Sequence, residues 1–369
     1  MNIAVLDAGF GDSGKGLVTD VLCNQFYKPL VARFSGGHQV THSVVKNGYK
    51  HVFGHFGAGT LSGVPTYWSK YCTVFPLMLL NELDTLKAKG FNPKIFIDPE
   101  APVTTPYEIA HNQNTPRFMK DGTCGLGYGS TIIREEAFYH LTFLDLFYPE
   151  ILKAKLAAIG AWYKITIQKE DLDNFLEDCD LITKIPEHIQ CQALHSLYNY
   201  TIFEGSQGLL LDQHHGFFPN VTRSNTGTKN ILEMVDLLDK VILVTRSYQT
   251  RHGNGFMTNE DKPHNIKADP NETNITNQFQ GVFRRTLLDL DLLQYAIAKD
   301  PYLAKNKAKC ELVITCLDHS ACDYRFTVGG NVVICADRQE FIQKISEILN
   351  IKIYGWSDSP ETKDFHFNT

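Results

Sequence analysis

The sequence predicts an α/β fold: a mostly parallel central sheet flanked by helices, opened by a P-loop-NTPase-like phosphate loop. Three observations predict it. Residues 3–6, Ile-Ala-Val-Leu, form an apolar run of buried-strand length. The run breaks into Gly9-Phe10-Gly11-Asp12-Ser13-Gly14-Lys15-Gly16, then resumes as Leu17, Val18, Val21 and Leu22 on one helical face. Similar apolar runs return at 30–34, 94–98, 201–203, 240–248 and 311–318, with amphipathic stretches between several of them. The chain has 369 residues, 43% of them hydrophobic, a length that suits about two domains or one large α/β domain.

The first loop carries the clearest chemistry. Glycines let backbone N–H groups converge, a helix N-terminus adds partial positive charge, and Lys15 adds a whole one; together these suit a bound phosphate. Gly9, Gly14 and Lys15 keep Walker A spacing, but Gly16 stands where Ser or Thr would meet a metal ion. Asp12 lies inside the loop, where a carboxylate beside phosphates needs either a metal between them or a proton to take.

The 30–34 strand ends in Ser35-Gly36-Gly37-His38-Gln39-Val40-Thr41-His42. The glycines allow a ligand close approach, and a histidine there can donate a proton near neutrality. Asn47-Gly48 predicts a hairpin turn between Val44-Val45 and His51-Val52-Phe53. Residues 76–89 read as an amphipathic helix stopped by Gly90, and 121–134 (DGTCGLGYGSTIIR) as a second glycine-rich loop. Residues 141–198 read as a helical insert within a single 1–369 domain, one helix starting at Pro149-Glu150 and another covering 169–179.

After the strand at 201–203 come Glu204-Gly205-Ser206-Gln207-Gly208 and a dense polar run to Thr226. Such a run suits a hydrogen-bonded ligand such as a purine, since an amide like Gln207 can read a ring oxygen and a ring N–H together. His214-His215 also falls here, but adjacent residues diverge on a strand and no third ligand is spaced to join them, so no metal is assigned. Strand 240–248 leads to Thr250-Arg251-His252-Gly253-Asn254-Gly255. Gly281-Val282-Phe283-Arg284-Arg285-Thr286 then offers two guanidinium forks suited to a carboxylate. Residues 289–297 continue as a helix, and 311–318 form a strand ending in Asp318.

The formal net charge of −6 argues against a general nucleic-acid binder, and no apolar run reaches membrane length. Nine scattered cysteines without a CxxC pair argue against a disulfide framework or a zinc site. The chain begins directly with a strand and no basic leader precedes it, so the expected setting is the reduced cytoplasm.

Taken together, these motifs resemble the adenylosuccinate synthetase family. Its GDEGKGK loop is matched by Gly11-Asp12-Ser13-Gly14-Lys15-Gly16-Leu17, with Ser13 and Leu17 replacing a glutamate and a lysine. Its RxxGGxNAGHT is matched at Arg33, Gly36, Gly37, His38 and His42, with Gln39, Val40 and Thr41 in place of Asn-Ala-Gly. Its TTGRGIGP aligns with Thr123, Gly125 and Gly127, the arginine and one threonine becoming Leu126 and Cys124. Its FEGAQGxLLDxxxGxYPxVTSSNT is matched over some two dozen positions from Phe203 to Thr226. TRxGxGPFPTE, TTGRRRRTG and TKLD find looser counterparts at 250–260, 281–286 and 315–318.

The resemblance implies that family's fold and a ligase of purine biosynthesis. A 6-oxopurine nucleotide, IMP, is phosphorylated on its ring oxygen by GTP, or ATP, and L-aspartate then displaces the phosphate. It implies Asp12 as catalytic base and Mg2+ ligand, Thr41 as a second Mg2+ ligand through its carbonyl, His42 as acid, and Lys15 and Gln207 as further catalytic residues. It also implies nucleotide and phosphate contacts from Gly11, Ser13, Gly14, Gly16, Gln39, Thr123, Cys124, Thr222, Arg223 and Asp318. Arg134 is the nearest candidate for an arginine that reaches a neighbouring active site. Gly281, Arg284 and Arg285 would hold aspartate from a loop, and the protein would be a homodimer. Two further readings stay open: a relative that acts on GMP or dGMP, as some phage enzymes do, and a nucleotide-binding protein without catalysis.

Overall fold

β1 (Asn2–Asp7) is buried almost throughout and lies in the middle of the main sheet, which explains its unbroken apolar sequence. The computed structural model describes residues 1–193, 198–267, 272, 279, 281–320 and 323–368, and only the backbone of Met119 and Asp121. After β1 the strands are β2 (Pro29–Arg33), β3 (His42–Lys46), β4 (Tyr49–Phe53), β5 (Thr66–Trp68), β6 (Ile95–Ile97), β7 (Ile189–Cys191) and β8 (Tyr200–Glu204). There follow β9 (Lys240–Arg246), β10 (Tyr248–His252), β11 (Phe283–Asp289), β12 (Cys310–Thr315), β13 (Tyr324–Val328), β14 (Asn331–Cys335), β15 (Lys352–Ser357) and β16 (Phe365–Phe367). The main sheet runs β16-β15-β12-β9-β1-β8-β2-β5-β6-β7. Its pairs are parallel except β15 with β16, the mostly parallel sheet that the strand–helix alternation predicts.

α1 (Lys15–Gln25) follows the first loop directly, and its apolar side chains Leu17, Val18, Val21 and Leu22 pack with Ile3, Val5 and Ile202 on one face of the sheet. The opposite face packs Leu6, Phe203, Leu243 and Leu312 under helices Leu290–Lys299 and Arg338–Leu349. α2 (Pro76–Ala88) ends two residues before Gly90, whose φ of +85° suits glycine. The β3–β4 hairpin turns at Asn47 (φ +50°) and Gly48 (φ +80°), the left-handed pair that a two-residue turn requires.

Four expectations need adjustment. The glycine-rich stretch at 121–134 is a loop only to Gly127, because 128–136 resumes as a helix. The helical region opens well ahead of 141, with α3 (Pro106–Asn114), α4 (Pro116–Asp121) and α5 (Tyr128–Glu136) before α6 (Pro149–Tyr163) and α7 (Lys169–Thr183). β7 then returns to the main sheet, and residues 194–197 of the expected insert lie outside the described residues. The run 240–248 breaks at Ser247: β9 stays in the main sheet and β10 enters a second one, β10-β11-β13-β14. Arg284 and Arg285, expected in a loop, sit on β11 opposite Arg251 and Thr250.

Among the described residues no helix is long and apolar enough to cross a membrane. Eight cysteines are free thiols, and Cys322 lies outside the described residues.

Candidate active site

Six neighbouring strands of the sheet, β15-β12-β9-β1-β8-β2, send their C-terminal ends to one cavity of about 980 Å³. Its wall takes Ser357 at the end of β15 and Ser359 beyond it, Thr315 at the end of β12 and Asp318 in the turn beyond it, Arg246 from β9, Gly11 to Leu17 without Ser13 after β1, Gln207 after β8, and Gln39 to His42 after β2. A crevice beyond the carboxyl ends of parallel strands is where open α/β sheets bind ligands.

The first loop turns through Gly11 (φ +104°), Asp12 (φ +60°) and Gly14 (φ +88°). Asp12 therefore stands in a left-handed conformation that a non-glycine residue adopts at a cost, and its carboxylate reaches the cavity, 3.5 Å from Nε2 of His252. The loop is fixed from outside by Arg246 Nε, donating to the Asp12 carbonyl at 2.5 Å, and by Thr315 Oγ1, donating to the Ser13 carbonyl at 2.8 Å. Gly208 abuts the loop so closely that a Cβ there would lie 2.1 Å from the Gly9 carbonyl oxygen. Lys15, almost wholly buried, donates to the Gln207 carbonyl at 2.8 Å and to Asp7 at 3.3 Å.

His42 opens β3 and lies across from the end of β8, where Nδ1 is 2.8 Å from Oε1 of the buried Glu204. Glu204 also accepts from Ala58 N–H, and Arg33 Nε lies 3.9 Å away. Burial alone would raise the Glu204 carboxyl, but His42 first and Arg33 next hold it below its ordinary range. Burial lowers the His42 imidazole despite the carboxylate beside it. Nδ1–H of His42 thus donates a hydrogen bond to the Glu204 carboxylate, with Nε2 left over.

Nε2 of His42, Oε1 of Gln39 and Oε1 of Gln207 are buried and have no hydrogen-bond partner among the described residues. All three residues line the cavity. Buried polar atoms are rarely left so, because each costs on the order of 1–3 kcal/mol, and three around one cavity point to a polar ligand.

The remaining sequence-predicted residues divide. Gly11, Gly14, Gly16, Thr41, Thr123, Cys124, Thr222, Arg223 and Asp318 line the same cavity as Asp12, Lys15, Gln39, His42 and Gln207. Ser13 does not, since its buried side chain turns to the Gly11 carbonyl. Arg134 does not either: its fully buried guanidinium is consumed by Glu108, Glu135 and the carbonyls of Val103 and Tyr139, so the expected phosphate contact gives way to a structural one. Gly281, Arg284 and Arg285 lie beside the cavity rather than in its wall. Arg284 is engaged by Glu260 and the Gly255 carbonyl, and Arg285 by the Lys267 carbonyl. Two wall residues, Arg246 and His252, were not singled out by sequence, since a lone arginine or histidine within a strand carries no spacing signal.

Asp12 and Thr41 line the cavity, and a carboxylate and a backbone carbonyl are oxygen donors of the kind Mg2+ prefers. Among the described residues no three His, Cys, Asp or Glu side chains form a metal cluster. That combination fits a Mg2+ whose other ligands are substrate phosphates and water, as nucleotide-dependent enzymes use it.

The family model described as "Adenylosuccinate synthetase" matches residues 4–319. The adenylosuccinate synthetase of Pseudomonas paraeruginosa is 32% identical over 277 residues, which take in 69% of this chain and 64% of that protein. That of Pseudomonas putida is 31% identical over 276 residues, with the same shares. The match thus spans less than two-thirds of these relatives' length. Among solved structures, fully ligated adenylosuccinate synthetase from Plasmodium falciparum has a TM-score of 0.75 at 17% identity, covering 100% of this chain and 99% of that one. Cyanophage S-2L succinoaminodeoxyadenylate synthetase, bound to dGMP and to dATP as an energy donor, has a TM-score of 0.69 at 15% identity, covering 100% and 95%. At these identities the two structures speak to the fold.

Proposed function

Since the chain belongs to the adenylosuccinate synthetase family, we propose that it is a ligase of purine nucleotide biosynthesis that joins IMP to L-aspartate at the expense of GTP, giving adenylosuccinate, GDP and phosphate. The observation that carries this reading is the trio of unpartnered polar atoms, on Gln39, His42 and Gln207, around the cavity that also holds Asp12 and Lys15.

A ring lactam oxygen is a poor nucleophile until the neighbouring N–H gives up its proton, and Asp12 takes that proton. Gln207 holds the purine ring in register. His42 donates from Nε2 to the oxygen that leaves with the nucleoside diphosphate, once bound phosphate favours the imidazolium that Glu204 already faces. Lys15 meets charge on the transferring phosphoryl group. A Mg2+ ion, held by Asp12 and the Thr41 carbonyl, would add further positive charge at the phosphate oxygens. Thr123, Cys124, Thr222 and Arg223 border the 5′-phosphate, and Asp318 accepts from guanine N–H groups. Aspartate enters from the side of Arg284 and Arg285, and its amine displaces the phosphate. A homodimer belongs to the same reading, supported by the exposed apolar side chains of Phe138, Leu144, Tyr148 and Ile151.

The test is phosphate release by the purified protein with Mg2+ and L-aspartate, over IMP, GMP and dGMP against GTP and ATP, with products identified by mass. Adenylosuccinate from IMP and GTP is the expected result, abolished by chelating the metal. Product only from GMP or dGMP would replace the proposed substrate. Nucleotide binding without turnover, lost in Lys15→Ala, would leave a binding protein in place of an enzyme.

A further inference from the structure

Asp7 closes β1 behind the first loop and is 2% exposed. Its Oδ1 accepts from the N–H groups of Gly9 at 2.9 Å and Gly11 at 3.2 Å. Its Oδ2 accepts from Ser13 N–H at 3.0 Å and from Lys15 Nζ at 3.3 Å. Converging backbone N–H groups of a glycine loop ordinarily bind an anion from solution. Here three of them already hold an anion that the chain supplies, and that anion lies outside the cavity wall.

Two consequences follow. The loop's turn conformation, with Asp12 at φ +60°, is held by a carboxylate that the chain itself supplies. Lys15 is also restrained: two acceptors, Asp7 Oδ2 and the Gln207 carbonyl, take two of its three ammonium protons, while Lys15 itself lines the cavity. An ammonium on a four-carbon stem is otherwise a mobile point charge. We propose that Asp7 is a positioning residue, which acts through Lys15 by fixing where its remaining N–H meets the transferring phosphoryl group. The proposal rests on the phosphoryl-transfer reading of the cavity. It predicts that Asp7 matters to kcat far more than to nucleotide binding.

The experiment pairs kinetics with a chemical readout that needs no turnover. Asp7→Asn keeps the size, but its NH2 must face N–H donors and its charge is gone. Phosphate release should fall about thirtyfold in kcat, with KM for either nucleotide within about threefold. In Lys15→Ala the same substitution should cost less than about threefold more, because it acts through the missing ammonium. A brief pulse of acetic anhydride, read by peptide mass, should acetylate Lys15 at least about fivefold faster in Asp7→Asn than in the unaltered chain. A kcat within about threefold of the unaltered chain, full multiplication of the two losses, or unchanged Lys15 acetylation would overturn the proposal. Should Asp7→Asn not fold, Asp7→Glu keeps the charge and moves it by one methylene; about a tenfold loss of kcat is expected there, and unaltered kcat overturns the proposal. If the unaltered chain turns over no nucleotide pair, the functional reading fails by itself and the acetylation arm still decides the link between Asp7 and Lys15.

Discussion

Glu204 and His42 meet across 162 residues of sequence, and neither can be altered without stranding the other. Replacing Glu204 by Ala leaves Arg33, the Ala58 N–H and Nδ1 of His42 facing a hole, in a place where all three are buried. Breaking a buried ionic group this way costs about 3–5 kcal/mol, read as a lower midpoint in urea unfolding. Glu204→Gln is milder for the fold but offers His42 only a neutral acceptor, so the imidazolium is no longer stabilised; kcat should drop by about a hundredfold with little change in KM. Equal loss in kcat/KM through KM alone would show that Glu204 merely shapes the pocket. At this scale the sequence was legible where residues cluster: Asp12, Lys15, His42 and Gln207 each lie in a short polar or glycine-rich stretch that has a chemical purpose on its face. It was silent where the partner is remote. Glu204 was visible as a motif letter, yet its contact with His42 depends on the β3–β4 hairpin, which lies outside the main sheet, meeting the end of β8.

Among the elements, the loop after β8 matters as much as the loop after β1, because the two lie against each other. A Cβ at Gly208 would come within 2.1 Å of the Gly9 carbonyl oxygen and 2.5 Å of the Gly11 nitrogen, both backbone atoms with no freedom to retreat. Gly208→Ala should therefore destabilise the fold by about 2–4 kcal/mol and raise KM for nucleotides, since the phosphate loop must shift. Gly63→Ala makes the control. It has φ +73° but nothing among the described residues within 4 Å of an added Cβ, so only conformational strain of about 1 kcal/mol is expected, with unaltered KM. Comparable losses at both positions would mean that the close approach of the two loops is not what constrains Gly208. Elements with strong local signals were readable from sequence: the β3–β4 hairpin from Asn47-Gly48, α2 from its amphipathic face and Gly90. α5 was not, because Gly125, Gly127 and Gly129 suggest a loop while Gly127, at φ +81°, is in fact the residue that starts the helix. The break at Ser247 was equally hidden, since β9 and β10 are one unbroken β-forming run whose division is set by two different sheets.

For the whole molecule, the cavity is joined to the core beneath it by His38, and this makes stability depend on pH. His38 is fully buried; Nε2 donates to the Leu126 carbonyl at 2.9 Å, in the loop that carries Thr123 and Cys124, and Nδ1 accepts from Thr73 Oγ1 at 3.2 Å. Both nitrogens are thus used by a neutral ring. Burial lowers its pKa to about 4, against weaker opposition from the backbone of Leu126 and Thr73. The groups facing it are the ring of Phe75 and that of His55, itself held well below its ordinary value by burial, then by His38 and Arg33. In the unfolded chain a histidine titrates near about 6.5, so between that value and about 4 the unfolded state binds the extra proton and stability rises with pH. The contribution is complete above the unfolded pKa and is lost as pH falls toward the folded one. At 1.36 kcal/mol per pKa unit, it amounts to about 2 kcal/mol between pH 7.5 and pH 5. Urea unfolding at those two pH values should show His38→Gln losing that much less than the unaltered chain on acidification, while being less stable than it at pH 7.5. An identical pH dependence in the two proteins would mean that His38 takes up its proton without opening the loop it holds, and that the cavity wall and the core are not linked through this ring.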